Sequence, residues 1–281
     1  MTAFIFPGQG SQSPGMGKDL YDGVPAAKEV FQQADQALDF SLTDLIFNGT
    51  AGDLQKTVNA QPAILTVSIA LLRAKNILPE AVAGHSLGEY SALVCAGVLD
   101  FSEAVRLVRF RGECMERAAP DGGMAAVLGL ADEIIEQILR EYAGQVEIAN
   151  YNCPGQTVIS GADAALNTAC AELAAAGAKR IIPLAVSGPF HSSLMRPAAD
   201  EFQARLAKTV LRDPQIPVVA NVTADYVRAA AFIRELLYRQ VFSAVRWTQS
   251  MAKMLSSGVN SIEEIGPGKA LTGLLKKIRG G

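Results

Sequence analysis

Short apolar runs alternate with longer helical patterns along the first third of the chain, and glycine or proline separates them. Runs of that length predict strands, whereas apolar positions that recur every three or four residues predict helices. The predicted elements are a strand at 3–6, helices at 26–38 and 61–75, a strand at 81–83 and a helix at 89–96. Such alternation is typical of a parallel sheet covered by helices.

A different order of elements is predicted between residues 123 and 187. The patterns there indicate a strand, a helix, two strands, a helix and a strand, at 123–130, 132–142, 145–152, 156–161, 163–178 and 179–186. This βαββαβ order is typical of a ferredoxin-like unit.

The remaining patterns return to the larger architecture, with strands at 216–222 and 261–266 and helices at 230–239, 247–255 and 270–278. We therefore predict an α/β fold with two parts. A large α/β-hydrolase-like domain with a parallel sheet comprises residues 1–122 and 188–281, and a small ferredoxin-like subdomain, residues 123–187, is inserted into it. A cleft between the two parts is the expected place for a site.

The composition indicates a globular chain that folds without disulfides or a metal. Apolar residues make up 49% and charged residues 19% of the 281 positions, which is enough to bury a large core. The four cysteines lie far apart without C-x-x-C spacing, which favours reduced thiols. The chain begins without a basic leader, and no apolar run reaches the roughly 18 residues of a membrane span. We expect a cytoplasmic protein with no membrane partner.

Charge and histidine content narrow the functional classes. A net charge of −3, from 25 basic and 28 acidic residues spread along the chain, argues against a nucleic-acid partner. Only two histidines are present, so an imidazole base that works near neutral pH must be His85 or His191.

The sequence G-H-S-L-G at 84–88 follows a predicted strand and precedes a predicted helix. On such a sharp turn the glycines allow close backbone approach, and the serine oxygen projects from the sheet. Ser86 is therefore the candidate nucleophile, and the backbone N–H of Leu87 is a candidate oxyanion donor. The bare motif also occurs by chance in glycine-rich loops, but its strand, turn and helix context favours the functional interpretation.

A serine nucleophile needs a neighbouring base. His191 lies between a predicted strand and a predicted helix, where a loop can deliver its ring to a cleft. His85 adjoins Ser86 on the tight turn and should point away from the hydroxyl. Asp163 and Asp200 have suitable chemistry for an acidic third member, but nothing in their context directs either towards His191. A backbone carbonyl or an amide side chain is the alternative orienting group.

Arg111 has an unusual helical position. If residues 105–118 form one helix, Arg111 lies near the centre of its apolar arc, between Leu107 and Cys114. A guanidinium aimed inward needs an anionic or bidentate acceptor, because burying it unpaired is costly. Two interpretations stay open, a structural ion pair and a clamp for a substrate carboxylate.

The first loop, residues 8–12, resembles a phosphate loop only superficially. It lacks the third glycine of G-x-G-x-x-G and the Lys-Ser/Thr ending of a P-loop. We expect it to bring backbone N–H groups to the mouth of the sheet, which makes Gln9 a candidate second oxyanion donor.

Together these residues resemble the malonyl-CoA:acyl-carrier-protein transacylase family, whose fold also forms the acyltransferase domains of fatty-acid and polyketide synthases. The resemblance runs over nearly the whole chain. It is carried by FPGQGSQ (6–12), QPAI (61–64), GHSLGEYSAL (84–93), RG (111–112), NYNCPGQTVISG (150–161), GPFHS (188–192), ANV (220–222), RQVFSAVRW (239–247) and EIGPGKALTGL (264–274).

The resemblance implies a ping-pong acyl transfer. Ser86 would be malonylated by malonyl-CoA with His191 as base, and Arg111 would hold the free carboxylate of the malonyl group. The phosphopantetheine thiol of an acyl carrier protein would then take the malonyl group from Ser86. No cofactor is implied, since coenzyme A enters as part of the substrate.

The resemblance also implies roles for four other positions. The backbone N–H groups of Gln9 and Leu87 would form the oxyanion hole, and the Gln240 region would orient the base without a carboxylate. Phe190 would act as the pocket residue that disfavours a branched methylmalonyl group, an effect of about 1–3 kcal/mol. The segment after Asn221 is short for the family, which affects one cleft edge rather than the chemical residues.

Partner and pathway are less determined by the sequence. We expect a monomer in fatty-acid biosynthesis. Arg196 and Lys269 are basic candidates for contact with an acidic carrier, although a solvated surface role is the default interpretation of both. Alternatives are a trans-acting polyketide acyltransferase or the acyltransferase subunit of a malonate decarboxylase. A serine thioesterase shares the serine and histidine, but Arg111 and the missing acid argue against it. A non-catalytic carrier-binding scaffold is a further alternative, against which the intact set of chemical residues argues.

Overall fold

A computed structural model describes residues 1–118 and 121–280. Its strands are β1 (Thr2–Phe6), β2 (Ala81–Gly84), β3 (Gly122–Leu128), β4 (Val146–Cys153), β5 (Gln156–Ala162), β6 (Arg180–Pro183), β7 (Val218–Val219), β8 (Tyr226–Val227) and β9 (Ser261–Glu264). Its α-helices are α1 (Lys18–Gly23), α2 (Pro25–Ala37), α3 (Leu42–Asn48), α4 (Ala51–Gln55), α5 (Thr57–Lys75), α6 (Gly88–Cys95), α7 (Phe101–Ala118), α8 (Asp132–Leu139), α9 (Asp163–Ala175), α10 (Arg196–Leu206), α11 (Ala230–Gln240), α12 (Trp247–Ser256) and α13 (Ala270–Gly280).

The larger sheet has the strand order β8-β7-β2-β1-β9. Strand β1 pairs in parallel with β2 and β9, and β2 pairs in parallel with β7, whereas β8 is antiparallel to β7. Every residue of β2 is buried, as expected for a central parallel strand with helices on both faces. The carboxyl ends of β1 and β2 therefore open side by side at one edge, where the first loop and Ser86 follow.

The smaller sheet is antiparallel and has the strand order β4-β5-β3-β6. Strand β5 lies between β3 and β4, so the β3–α8–β4 unit is split by an intervening strand. Helices α8 and α9 cover one face through a separate apolar cluster that includes Val127, Ile135, Ile159 and Leu173. The predicted α/β fold with a ferredoxin-like βαββαβ unit is confirmed.

Backbone hydrogen bonds also join the smaller sheet to the large part of the chain. The Tyr151 N–H donates to the Val245 carbonyl at 3.0 Å, and the Val245 N–H donates to the Ala149 carbonyl at 2.8 Å. This bridge joins β4 to the segment before α12. The domain bounds of the sequence interpretation stay a prediction, and Ala119, Pro120 and Gly281, which they include, lie outside the described residues.

Two helices of the large part carry the apolar packing around the site. Helix α5 is buried along most of its length, whereas α7 is amphipathic with one buried face, and the two pack together. Pro62 lies inside α5 and has no N–H for the Val58 carbonyl one turn earlier, and Arg109 Nη1 donates to that carbonyl instead, at 3.1 Å. None of the helices in residues 1–118 and 121–280 is long and apolar enough to cross a membrane.

The strand predicted at 216–222 is wrong in extent, because only Val218–Val219 pair in the sheet. Pro217 has no N–H to donate, and the chain turns at Ala220, whose N–H donates to the Asp225 carbonyl at 3.1 Å. The apolar run is therefore half strand and half turn. That turn places Asn221 beneath Ser86.

Candidate active site

The nucleophile turn, residues Gly84–Gly88, joins the end of β2 to the start of α6. Ser86 has a φ of 50°, a left-handed conformation that a non-glycine residue adopts only at a cost. A Cβ at Gly84 would overlap the backbone of Gly88, and a Cβ at Gly88 would overlap the Phe6 carbonyl. Both glycines are thus required by close backbone approach, and the predicted strand, turn and helix arrangement around Ser86 is confirmed.

Asn221 holds the nucleophile turn from below. Its Oδ1 accepts the Ser86 N–H at 2.8 Å, and its Nδ2 donates to the Gly84 carbonyl at 2.6 Å. The side chain is 1% exposed, so these bonds compete little with water. The sequence interpretation did not assign Asn221 a role, although the A-N-V stretch was among the segments that carry the resemblance.

His191 is positioned to act on the Ser86 hydroxyl. The distance from Ser86 Oγ to His191 Nε2 is 2.7 Å, and the distance from His191 Nδ1 to the Gln240 carbonyl oxygen is 2.8 Å. A carbonyl can only accept, so Nδ1 carries the proton and Nε2 is left as the acceptor that a general base requires. His191 has a φ of 61°, a second left-handed residue at the site.

The orienting group of His191 is a backbone carbonyl and not a carboxylate. Asp200 accepts a hydrogen bond from the Tyr238 hydroxyl at 2.7 Å, and Asp163 is exposed at the start of α9. Neither aspartate bonds the imidazole. The open question of the third member is therefore answered in favour of a backbone acceptor at Gln240.

The surroundings of His191 keep its ring neutral. Burial, reinforced by the positive charge of Arg111, lowers the pKa of His191 from 6.5 to about 3. A neutral imidazole with a vacant Nε2 lone pair can accept a proton throughout the usual working range of pH.

His85 faces away from the Ser86 hydroxyl, as the sequence indicates. Its Nε2 lies 2.9 Å from Asn152 Oδ1, and its ring meets Trp247 edge-on at 5.5 Å between centroids. Burial lowers the pKa of His85 as well. These contacts hold the His85 ring against Asn152 and Trp247.

Arg111 is 1% exposed and lies on the buried face of α7. Its Nη1 donates to Gln61 Oε1 at 2.9 Å, and its Nη2 donates to Gln240 Oε1 at 3.0 Å and to Ser86 Oγ at 3.3 Å. Every one of these acceptors is neutral, so the structural ion pair that the sequence left open is not what the geometry shows. Gln61 is thus a further residue of the site, and the sequence had indicated it only as part of the QPAI motif.

The positions suited to an oxyanion hole are the backbone N–H groups of Gln9 and Leu87. Neither N–H donates to an acceptor within the described residues, and both residues line the same cavity as Ser86. The Gln9 side chain is directed elsewhere, since its Nε2 donates to Thr57 Oγ1 at 3.1 Å. Two unoccupied donors beside a nucleophile are the arrangement that stabilises a tetrahedral oxyanion.

A cavity of about 270 Å³ lies above Ser86 and His191. Its wall includes Arg111, Met115 and Phe190, so one charged group faces a mostly apolar lining. Phe190 is 4% exposed and precedes His191 in the sequence. The cavity suits a small acyl group with one anionic end.

No group of histidine, cysteine, aspartate or glutamate in the described parts of the chain has the arrangement of a metal site. Burial raises the pKa of each of the four cysteines, Cys95, Cys114, Cys153 and Cys170. Protonated thiols are poor nucleophiles.

The chain matches proteins of a known family along almost its whole length. Residues 3–277 match the family model described as the acyl transferase domain. The chain is 50% identical to the malonyl CoA-acyl carrier protein transacylase of Bacillus subtilis (strain 168) over 98% of this chain and 90% of that protein. It is 48% identical to the protein of the same name from Escherichia coli (strain K12), over 98% of this chain and 92% of that protein.

Solved structures give the same result. The acyl carrier protein S-malonyltransferase of Vibrio cholerae superposes with a TM-score of 0.95 at 44% identity, over 99% of this chain and 93% of that one. A malonyl-transacylase in complex with a type II PKS acyl-carrier protein superposes with a TM-score of 0.95 at 45% identity, over 99% and 92% of the two chains.

Proposed function

The chain belongs to the acyl transferase family, and from that premise we propose that it moves a malonyl group from coenzyme A to an acyl carrier protein through an ester on Ser86. The observation that carries the proposal is the buried guanidinium of Arg111, whose Nη2 lies 3.3 Å from the Ser86 oxygen. A neutral ester has no charge for this buried cation to bind, whereas an acyl group with a free carboxylate can form an ion pair with it.

The first half-reaction forms the ester. Ser86 Oγ attacks the thioester carbonyl carbon while its proton moves to His191 Nε2, 2.7 Å away. The N–H groups of Gln9 and Leu87 stabilise the resulting oxyanion. Collapse of the tetrahedral intermediate breaks the carbon–sulfur bond, and the coenzyme A thiolate leaves with the proton from His191.

The second half-reaction reverses these roles. The phosphopantetheine thiol of the carrier protein gives its proton to His191 and attacks the ester carbonyl. Ser86 Oγ leaves, recovers the proton from His191, and the malonyl group departs as a thioester on the carrier. Because coenzyme A leaves before the carrier reacts, the kinetics should be ping-pong.

Recognition of the substrate and basicity of His191 are coupled through Arg111. The guanidinium charge lowers the pKa of His191, and a bound carboxylate neutralises part of that charge. The base therefore becomes stronger when a malonyl group occupies the cavity. An acyl group without a carboxylate gains neither the contact nor the change in basicity.

Phe190 is proposed to set the size limit of the acyl group. It lines the cavity wall next to the base, where a methyl branch on the malonyl carbon would meet its ring. A steric limit of this kind is worth about 1–3 kcal/mol per methyl-sized group. The preference for malonyl over methylmalonyl groups should therefore be strong but not absolute.

We propose fatty-acid biosynthesis in the cytoplasm as the setting, and a monomer as the working form. The 48–50% identity to proteins named malonyl CoA-acyl carrier protein transacylase supports that setting. Service to a polyketide assembly line is the second candidate, because one structural relative was solved with a type II PKS acyl-carrier protein. Initial rates with purified carriers of each pathway, and the mass in solution by light scattering, test these assignments.

Steady-state kinetics test the proposed reaction. Initial rates at several fixed concentrations of phosphopantetheinylated carrier should give parallel double-reciprocal lines against malonyl-CoA. Intersecting lines would contradict an ester intermediate. Release of free malonate as fast as transfer to the carrier would favour a thioesterase instead.

A further inference from the structure

Glu89 is a buried acid that the proposed reaction does not use. It lies in the first turn of α6, three residues after Ser86, and is 2% exposed. It does not line the cavity above Ser86. A carboxylate in such a place is costly unless neighbouring groups compensate its charge and satisfy its oxygens.

The contacts of Glu89 lead through one amide to Arg111. Glu89 Oε2 accepts from Gln240 Nε2 at 2.6 Å and from the Asn221 N–H at 3.3 Å. The same Gln240 amide presents its Oε1 to Arg111 Nη2 at 3.0 Å. Gln240 Nε2 also donates to the Ser86 carbonyl at 3.0 Å. The order of groups is therefore carboxylate, amide and guanidinium.

This order explains how a buried guanidinium persists without a direct ion pair. Arg111 takes part in none of the ion pairs found in the described residues, and its hydrogen-bond acceptors are neutral. Glu89 supplies negative charge one amide away. A carboxylate facing the amide also requires Gln240 to present N–H groups towards Glu89 and its oxygen towards Arg111.

A direct Glu–Arg pair would occupy the guanidinium and compete with a substrate carboxylate. The amide spacer leaves Nη1 of Arg111, which carries two hydrogens, with a single acceptor in the described residues, Gln61 Oε1. The guanidinium is thus held in place while part of its donor capacity stays available.

We propose that Glu89 is a positioning residue for malonyl recognition, acting as the remote counter-ion that holds Arg111 through the side chain of Gln240. This inference rests on the proposed function, because it assigns Arg111 to the substrate carboxylate. Glu89 touches neither substrate nor the reacting atoms, so its removal should weaken malonyl binding and leave the Ser86–His191 pair competent.

The test compares Glu89→Gln, Arg111→Met and the double variant, with the exposed acid Glu29→Gln as matched control. Two readouts are taken at pH 8. The first is KM and kcat for malonyl transfer to a phosphopantetheinylated carrier. The second is the rate at which a neutral fluorophosphonate labels Ser86, which reports the nucleophile and base without a carboxylate.

The proposal predicts that Glu89→Gln raises KM for malonyl-CoA by about tenfold or more, the loss expected for one charge-assisted contact, while labelling stays within about twofold of wild type. In the Arg111→Met background the same change should add little, because coupled residues are non-additive. The Glu29→Gln control should match wild type in both readouts.

Three outcomes would overturn the proposal: an unchanged or lower KM, an equal loss of labelling and transfer, or a full additional effect in the Arg111→Met background. If Glu89→Gln fails to fold, the same measurements are made on Glu89→Asp, whose side chain is one methylene shorter and so moves the carboxylate away from Gln240. Failure of the proposed function is distinguishable, because wild type would then label with the fluorophosphonate yet transfer no malonyl group.

Discussion

Replacing Asn221 with alanine tests how the nucleophile turn is held. The side chain bonds two backbone groups of the turn, the Ser86 N–H at 2.8 Å and the Gly84 carbonyl at 2.6 Å. Alanine would leave both buried groups without a partner. Each orphaned group costs about 1–3 kcal/mol, so the free energy of unfolding should fall by about 2–6 kcal/mol.

The same change should slow the chemistry more than instability alone explains. Ser86 is held at a φ of 50°, and a non-glycine residue there stores about 1–3 kcal/mol of strain. Without Asn221 the turn can relax, which moves the Ser86 oxygen away from His191 Nε2. We expect the fluorophosphonate labelling rate of the folded variant to fall by more than about tenfold, since a small displacement at a reacting atom is costly.

The assay is urea unfolding followed by the fluorescence of the single tryptophan, Trp247, which is fully buried. The slope of free energy against urea should stay constant, so that a shifted midpoint reports stability. Asn48→Ala is the matched control, because Asn48 is exposed and its side chain bonds Asp44 alone among the residues that the structure describes. Asn221→Asp should be at least as destabilised as Asn221→Ala, because its second carboxylate oxygen would face the Gly84 carbonyl oxygen and add an unpaired charge beside the buried Glu89.

An Asn221→Ala variant that unfolded within about 0.5 kcal/mol of wild type, the range of ordinary surface substitutions, would contradict this role of Asn221. So would a variant that was destabilised but labelled Ser86 at the wild-type rate. In that case Asn221 would contribute to packing without setting the position of the nucleophile.

Three further predictions concern the base, the buried acid and the cavity. Because the pKa of His191 is lowered to about 3 by burial and by Arg111, the rate of Ser86 labelling plotted against pH should show no inflection near pH 6.5. Removing the charge in Arg111→Met should move the inflection of that plot to higher pH, and an unchanged pH dependence would contradict the charge effect. Burial raises the pKa of Glu89 from 4.5 to about 7, so the folded state holds more protons than the unfolded state in that window and loses stability as pH rises through it. Glu89→Gln should therefore gain stability relative to wild type between pH 4.5 and 7, by about 3 kcal/mol in urea unfolding, and a pH-independent difference would contradict the shift. Phe190→Ala should raise the kcat/KM ratio of methylmalonyl-CoA to malonyl-CoA by about tenfold in a competition assay, and an unchanged ratio would remove Phe190 from the proposed size limit.

The parts of this site that the sequence predicts are those encoded by local geometry. The G-x-S-x-G turn is recognisable because Gly84 is required by backbone contact with Gly88 inside the same five residues. Arg111 is recognisable because the period of 3.6 residues per turn places it on the apolar face of a predicted helix. In the structure Arg111 is buried on that face of α7.

The parts that sequence patterns miss depend on contacts between distant segments. Asn221 lies 135 residues from Ser86 and Gln240 lies 151 residues from Glu89, so no local periodicity relates them. The strand at 216–222 was predicted too long for the same reason, because an apolar run does not show that the chain turns at Ala220. The orienting role of Gln240 was implied only by the family resemblance, and its side-chain contacts with Arg111 and Glu89 became visible only in the structure.

The most direct test of the central claim is intact-protein mass spectrometry after brief mixing with malonyl-CoA. Wild type is compared with Ser86→Ala, Arg111→Ala and, as control, Arg106→Ala, an exposed arginine of the same helix; phosphopantetheinylated carrier is then added. We expect a malonyl adduct that is absent in Ser86→Ala, weakened in Arg111→Ala, unchanged in Arg106→Ala and transferred to the carrier. A wild-type protein that forms no adduct, or an adduct that is lost to water at the same rate with or without carrier, would contradict the proposed transfer.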